Sequence, residues 1–301
     1  MEAAEPAPRL RLLPLAALLL GNAALAMGPW FVRFADTGPV ATGFWRVALA
    51  LPVLALLARA NGEPLGGLPR KTLLAVLLGG VFFGLDIASW HVGIGMTRLT
   101  NAALFGNAGS LVLMVWGFVA WRRLPKGREG PALVAALTGA AILMGRSLEI
   151  SPRTLLGDWF CLLAGLLYAG YLLILKDARK SLGSWSLLTW SCTASAPVLL
   201  AIALLAGETI VPTDWAPVVG LAISSQLIGQ GLLVYAMGHL SPVIVGLCFL
   251  TQPIVSAVVG WLAYDERLSA ADGVGALLIC VALVLIRLPG RGLATRAVEA
   301  H

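Results

Sequence analysis

Ten windows of mostly apolar residues recur along the chain, near 12–33, 39–58, 71–96, 100–121, 130–147, 155–176, 184–206, 215–237, 241–263 and 270–287. Each approaches the roughly 20 residues that an α-helix needs to cross a bilayer. The connections between them are short and carry the charges, prolines and glycines. Of the 301 residues, 59% are hydrophobic and 12% are charged. A soluble domain averages about 45–50% apolar and about 25% charged. A soluble globular enzyme, a disordered chain and a disulfide-stapled secreted scaffold are thereby excluded. The pattern predicts an all-α polytopic membrane protein with ten transmembrane helices and no room for a separate soluble domain.

Charge sets the expected orientation. With the N-terminus inside, fifteen Lys and Arg residues fall on the inner side and five on the outer side, and Arg46 is left within a span. Such a bias marks cytoplasmic loops, so N and C termini are both read as cytoplasmic. The same rule accounts for the net charge of +6 without any nucleic-acid partner. Arg9 and Arg11 ahead of an apolar run, with Ala24-Leu25-Ala26, resemble signal-peptide grammar. The run continues to Phe34 and is long enough to span, so the segment is kept as the first helix. Cys161, Cys192, Cys248 and Cys280 all stand in apolar runs and read as small buried hydrophobes. Neither a metal cluster nor a cofactor motif is expected.

The chain also repeats itself. Residues 93–144 contain a polar lead-in, an apolar span, a charged turn and a Gly/Ala-rich span, and residues 235–286 follow the same order. Two repeats are expected, 1–148 and 149–301. With five spans each, an odd number, they would lie in the membrane with opposite orientation, the inverted-repeat architecture common among secondary transporters.

Phe44-Trp45-Arg46-Val47-Ala48-Leu49-Ala50-Leu51-Pro52 in span 2 and Asp86-Ile87-Ala88-Ser89-Trp90-His91 in span 3 lead to Thr97 and Asn101-Ala102. Leu240-Ser241-Pro242, Gln252-Pro253, Glu266 and Gly275-Ala276-Leu277-Leu278-Ile279 follow in the second half. Over nearly the whole chain this ensemble resembles the EamA-type drug/metabolite transporter superfamily, and within it bacterial amino-acid exporters, including the aromatic-amino-acid type. The resemblance implies gradient- or proton-driven export of small metabolites across a bacterial inner membrane. A small-molecule substrate and the lipid bilayer are then the partners, with protons as a candidate coupling ion.

Ionisable groups inside spans are costly and mark function. Arg46 lies about 10 Å and Asp86 about 15 Å below the outer helix ends, at 1.5 Å per residue, so the two are expected to pair or share a polar cavity. Trp90 shares the Asp86 face at i+4, and His91, displaced from it, is a proton-relay candidate. Asn101, Asn107, Tyr168, Gln226, Gln230, Tyr235 and Gln252 stand at depths suited to a midplane site. For each, bonding between helices competes with binding. Gly106, Gly109 and Pro253 occupy nearly matching places in the two repeats, where interruptions point to a transporter's site and hinge. The expected activity is alternating-access export of amino acids or related metabolites. The alternatives are a lipid-linked sugar or drug flippase, and, in another class, an intramembrane enzyme, for which no nucleophile–base motif is present.

Overall fold

The computed structural model describes residues 12–97, 102, 105–106, 108–120, 127–144, 151–252, 254–255, 258 and 270–287. Every regular element among them is helical. In chain order these are α1 (Leu12–Ala26), α2 (Gly28–Phe34), α3 (Pro39–Ala60), α4 (Arg70–Met96), α5 (Ala108–Ala120) and α6 (Glu129–Met144). Then come α7 (Pro152–Ala178), α8 (Ser184–Leu205), α9 (Ala216–Leu221), a π-helical stretch (Ala222–Gln230), α10 (Gly231–Met237), α11 (Pro242–Phe249) and α12 (Ala270–Arg287). Six stretches, Leu12–Phe34, Pro39–Ala60, Arg70–Met96, Pro152–Ala178, Ser184–Leu205 and Ala216–Met237, are long and apolar enough to cross a membrane. The shorter α5, α6, α11 and α12 occupy the other four apolar windows.

The sequence sets where many of these helices begin. Pro29, Pro39, Pro152, Pro217 and Pro242 each stand in a first turn, where a missing N–H costs nothing. At α7 the Ser151 hydroxyl accepts from the Thr154 N–H while the Thr154 hydroxyl accepts from the Ser151 N–H, so two otherwise orphan donors are met. Two departures from regular spans stand out. The first window breaks at Met27, between α1 and α2, because Pro29 has no N–H to continue the ladder. The eighth window widens into a π-helix over nine residues, a rare geometry frequent at functional sites.

Large apolar side chains such as Leu56, Leu74, Leu78, Trp116, Leu163, Leu204 and Leu277 are exposed. A water-facing surface of this kind would aggregate; a hydrocarbon surround suits it. Inside, Leu18, Leu54, Phe83, Tyr171, Leu187, Leu199 and Phe249 join α1, α3, α4, α7, α8 and α11 in one core. α4 packs on α7 and α8, α3 on α8, α5 on α11, and α6 on α12, while α1 packs on the π-helix and α10. Of the four cysteines, Cys161, Cys192 and Cys248 are buried as expected, whereas Cys280 is exposed on the outer side of α12.

Small residues permit the closest approach. At Gly80 a Cβ would overlap the Ser191 carbonyl and the Ala194 Cβ of α8. The Ser195 hydroxyl lies 2.7 Å from the Gly80 carbonyl and 2.8 Å from the Ser191 carbonyl, bridging α4 to α8. Beyond the helix ends, the Asp36 carboxylate accepts from the Thr213 hydroxyl, the Thr213 N–H at 2.9 Å and the Asp214 N–H at 3.1 Å. The Thr213 hydroxyl above all holds this carboxyl below its usual 3.8, so the tie persists through the ordinary carboxylate range and loosens only as pH falls below it. Gly80→Leu should force α4 and α8 apart at a cost of about 1–3 kcal/mol. A fall of several degrees in the melting temperature of the detergent-solubilised protein would show it; an unchanged value would contradict the close approach.

Candidate functional site

Arg46 is the centre of the candidate site. It projects from the second turn of α3 and is only 7% exposed. Its Nε donates to Gln226 Oε1 at 3.1 Å, and its guanidinium carbon lies 5.7 Å from the centre of the Phe83 ring. The remaining guanidinium N–H groups have no acceptor among the described residues. Gln226 Nε2 in turn donates to Cys192 Sγ at 3.2 Å. One turn further along the π-helix, Gln230 Nε2 donates to the Tyr168 hydroxyl at 3.0 Å, and Gln230 Oε1 is buried without a partner among the described residues. The spacing that placed both glutamines on one face thus brings them to one centre from the widened helix.

Aromatic rings line the same place. Phe83 stacks on Tyr171 at 4.6 Å, and Tyr168 meets Tyr171 at 5.8 Å. Tyr168 also meets Phe249 edge-on at 5.8 Å. Asp86 stands near enough for its charge and that of Arg46 to act on each other. No hydrogen bond or ion pair joins them among the described residues. A buried cation with free donors, an amide oxygen with none, and a stack of rings form a site that can hold a carboxylate and a flat apolar body together.

Other expected residues fall elsewhere. His91 Nδ1 lies 2.8 Å from the Pro39 carbonyl, which can only accept, so this nitrogen carries the proton and ties α4 to the start of α3. Trp90 packs with Ile94, Ala102, Phe105 and Cys161 in a satellite cluster. Tyr235 lies against His239, with ring centres 4.8 Å apart. Gln252 Nε2 donates to Asn22 Oδ1 at 2.8 Å, and Asn22 Nδ2 donates to Thr251 Oγ1 at 2.6 Å and to the Cys248 carbonyl at 2.9 Å. This second polar centre joins α1 to the end of α11. Asn101, Asn107 and Pro253 lie outside the described residues. At Gly106 a Cβ would overlap the Trp90 ring, and at Gly109 the Gly165 carbonyl, so both glycines have a packing reason to be small.

Asp158, and Cys192 as a site residue, were not singled out from sequence. The Thr97 hydroxyl donates to Asp158 Oδ1 at 2.7 Å, a buried contact between the ends of α4 and α7; a charge three residues inside the window at 155–176 was its signal. Cys192 emerges as a site residue only through its contact with Gln226. Replacing Gln226 by Leu would strand the Arg46 Nε–H, at about 1.5–3 kcal/mol for a hydrogen bond to a charged group. Q226L should therefore melt several degrees lower, and Arg46→Met in the same chain should recover part of the loss. Additive losses in a double-mutant cycle would argue against the pairing.

Residues 155–288 match the EamA-like transporter family. An uncharacterized transporter of Archaeoglobus fulgidus is 24% identical over 274 residues, covering 90% of this chain and 93% of that protein. Protein PecM of Dickeya dadantii is 27% identical over 246 residues, 79% of this chain and 80% of its own. A crystal structure of a protein with 15% sequence identity superposes with a TM-score of 0.73, covering 96% of this chain and 98% of that one, so the fold is shared. The chain is thus a multi-pass membrane protein whose second half matches the EamA-like transporter family.

Proposed function

We propose that the protein is a secondary transporter that exports amino acids or related small metabolites across a bacterial inner membrane by alternating access, with both termini cytoplasmic. The observation that carries this reading is the Arg46 centre. A guanidinium buried among rings, bonded through Nε to Gln226 and otherwise unpaired among the described residues, is expensive to keep unless a ligand completes it. A carboxylate would supply two acceptors in the guanidinium's own geometry. The unpartnered Gln230 Oε1 is an acceptor suited to an ammonium group. Asp86 is the candidate proton carrier.

The packing supports the two-repeat reading. Exchanging the chain halves maps α4 on α7 into the span of α9–α10 on α1, and α4 on α8 into that same span on α3. The contacts α3–α8, α5–α11 and α6–α12 map onto themselves. Pro52 inside α3 and Pro197 inside α8 stand 145 residues apart. Repeats related by a two-fold axis would give such a pattern, with a site at their interface.

Uptake of labelled amino acids by proteoliposomes containing only this protein tests the reading, with and without a pH gradient. Saturable movement competed by unlabelled amino acids is expected. Arg46→Ala should reduce it about tenfold or more, since a charge-assisted contact is worth about 1.5–3 kcal/mol. Asp86→Asn should remove the response to the gradient. No flux of any amino acid by folded protein would overturn the substrate class and turn attention to drugs and lipid-linked sugars.

A further inference from the structure

The seam between α3 and α8 is fastened at both ends by the same device. At the end of α3, Asn61 is followed by Gly62 at φ +68° and then Glu63. At the end of α8, Ala206 is followed by Gly207 at φ +68° and then Glu208. In both cases the glycine takes the left-handed conformation that closes a helix, and the glutamate N–H returns to a carbonyl five residues back, Ala58 at 2.8 Å and Ala203 at 3.0 Å. Each turn throws its glutamate across to the start of the other helix. Glu208 accepts from the Val40 N–H at 3.3 Å and the Ala41 N–H at 2.7 Å. Glu63 accepts from the Ser186 N–H at 2.7 Å.

The receiving ends are matched as well. α3 starts after Gly38 and α8 after Gly183, and at each glycine a Cβ would overlap the incoming carboxylate. The pairs Gly38 and Gly183, Gly62 and Gly207, and Glu63 and Glu208 are each 145 residues apart. A negative carboxylate on a helix N-terminus is bound by its free N–H groups and by the helix dipole. Because α3 and α8 run antiparallel, the two contacts lie at opposite ends of one seam, and Arg46 and Cys192 lie along it between them.

We propose that Glu63 and Glu208 are paired latches, one on each membrane face, that decide to which side the Arg46 site opens. This builds on the transporter reading and adds the elements that set its sidedness. Opening the seam at one end breaks one carboxylate-to-helix contact and keeps the other as the pivot.

The two ends are not equally held. Beside Glu208, the Gly38 N–H donates to the Thr209 carbonyl at 3.0 Å and Trp45 Nε1 to the Ile210 carbonyl at 2.6 Å, and Asp36 ties the same loops. Beside Glu63, the Ser186 hydroxyl bonds to the Pro64 carbonyl at 2.5 Å. No second side-chain tie comparable to Trp45 or Asp36 reinforces the Glu63 contact among the described residues. The Glu63 end is the one that releases first.

Cys192 reports opening directly, since it is fully buried in the seam. In a chain with Cys161, Cys248 and Cys280 replaced, labelling by a membrane-impermeant maleimide is followed from each face, in intact cells and in inverted vesicles. Glu63→Ala should raise the labelling rate severalfold from the face that carries residues 61–69 and leave the other face unchanged. Glu208→Ala should raise it from the opposite face alone, and by less. Gly183→Ala and Gly38→Ala, which displace the carboxylates with both glutamates intact, should reproduce E63A and E208A respectively. A merely structural role would loosen both faces together; that outcome, no change in labelling, or glycine variants unlike their glutamate partners would overturn the latches. No substrate is needed, so side-specific labelling without amino-acid flux would keep the latches and reject the substrate reading alone.

Discussion

A guanidinium held away from water must find acceptors, and in a bilayer the neighbouring helices and a ligand are the only sources. Arg46 organises the centre of this protein for that reason. It draws Gln226 from the π-helix on one side and meets the Phe83 ring of α4 on the other. Gln226 passes the contact on to Cys192 of α8, and beside it Gln230 donates to Tyr168 of α7. Four helical segments beside α3 thus converge on one charge. Removing the charge with its partner leaves an apolar seam, whereas removing the partner alone strands a cation. The centre is consequently a poor place for a purely structural contact and a good one for a site that a ligand completes.

The widened turn of the eighth span serves the same end. A regular helix would give Ala222–Gln230 tighter turns and more complete packing. The π-helix instead presents two glutamines inward while the Ser224 and Ser225 hydroxyls and Gln230 Oε1 have no partner among the described residues. Unmet polar atoms in a segment that touches both α1 and α3 leave it with hydrogen-bonding capacity in reserve. The same segment carries Gln226, so that reserve adjoins the Arg46 centre.

Much of this was legible in the residues. Apolar windows and charge placed the spans, and prolines placed several helix starts. Arg46, Tyr168, Gln226 and Gln230 come together because a polar group in a span has little choice but to face the interior. Burial alone does not say which interior, and there the reading from spacing ran out. Trp90, Tyr235 and Gln252 face other neighbours, and His91 meets a carbonyl 52 residues away in sequence. Glu63 and Glu208 stand in loops, and their acceptor role depends on helix starts more than 120 residues distant. The recurrence of Gly-Glu after spans 2 and 7 at a fixed spacing was a usable signal, stronger than the looser match between residues 93–144 and 235–286.

Symmetry gives the seam its mechanical character. On the two-repeat reading the halves favour neither face by architecture alone, so any bias must come from side chains that break the likeness. Arg46 in α3 has Ser191 as its counterpart in α8, which makes the site one-sided in charge. The ends of the seam differ in the same spirit, with Trp45, Asp36 and the Gly38 N–H reinforcing the Glu208 contact while the Glu63 contact has the Ser186 hydroxyl bonded to the Pro64 carbonyl beside it. A helix pair fastened by equivalent carboxylates keeps one contact as a pivot whichever end parts. Unequal reinforcement then selects the end that parts first, so a near-symmetric frame acquires a direction without any large asymmetric domain.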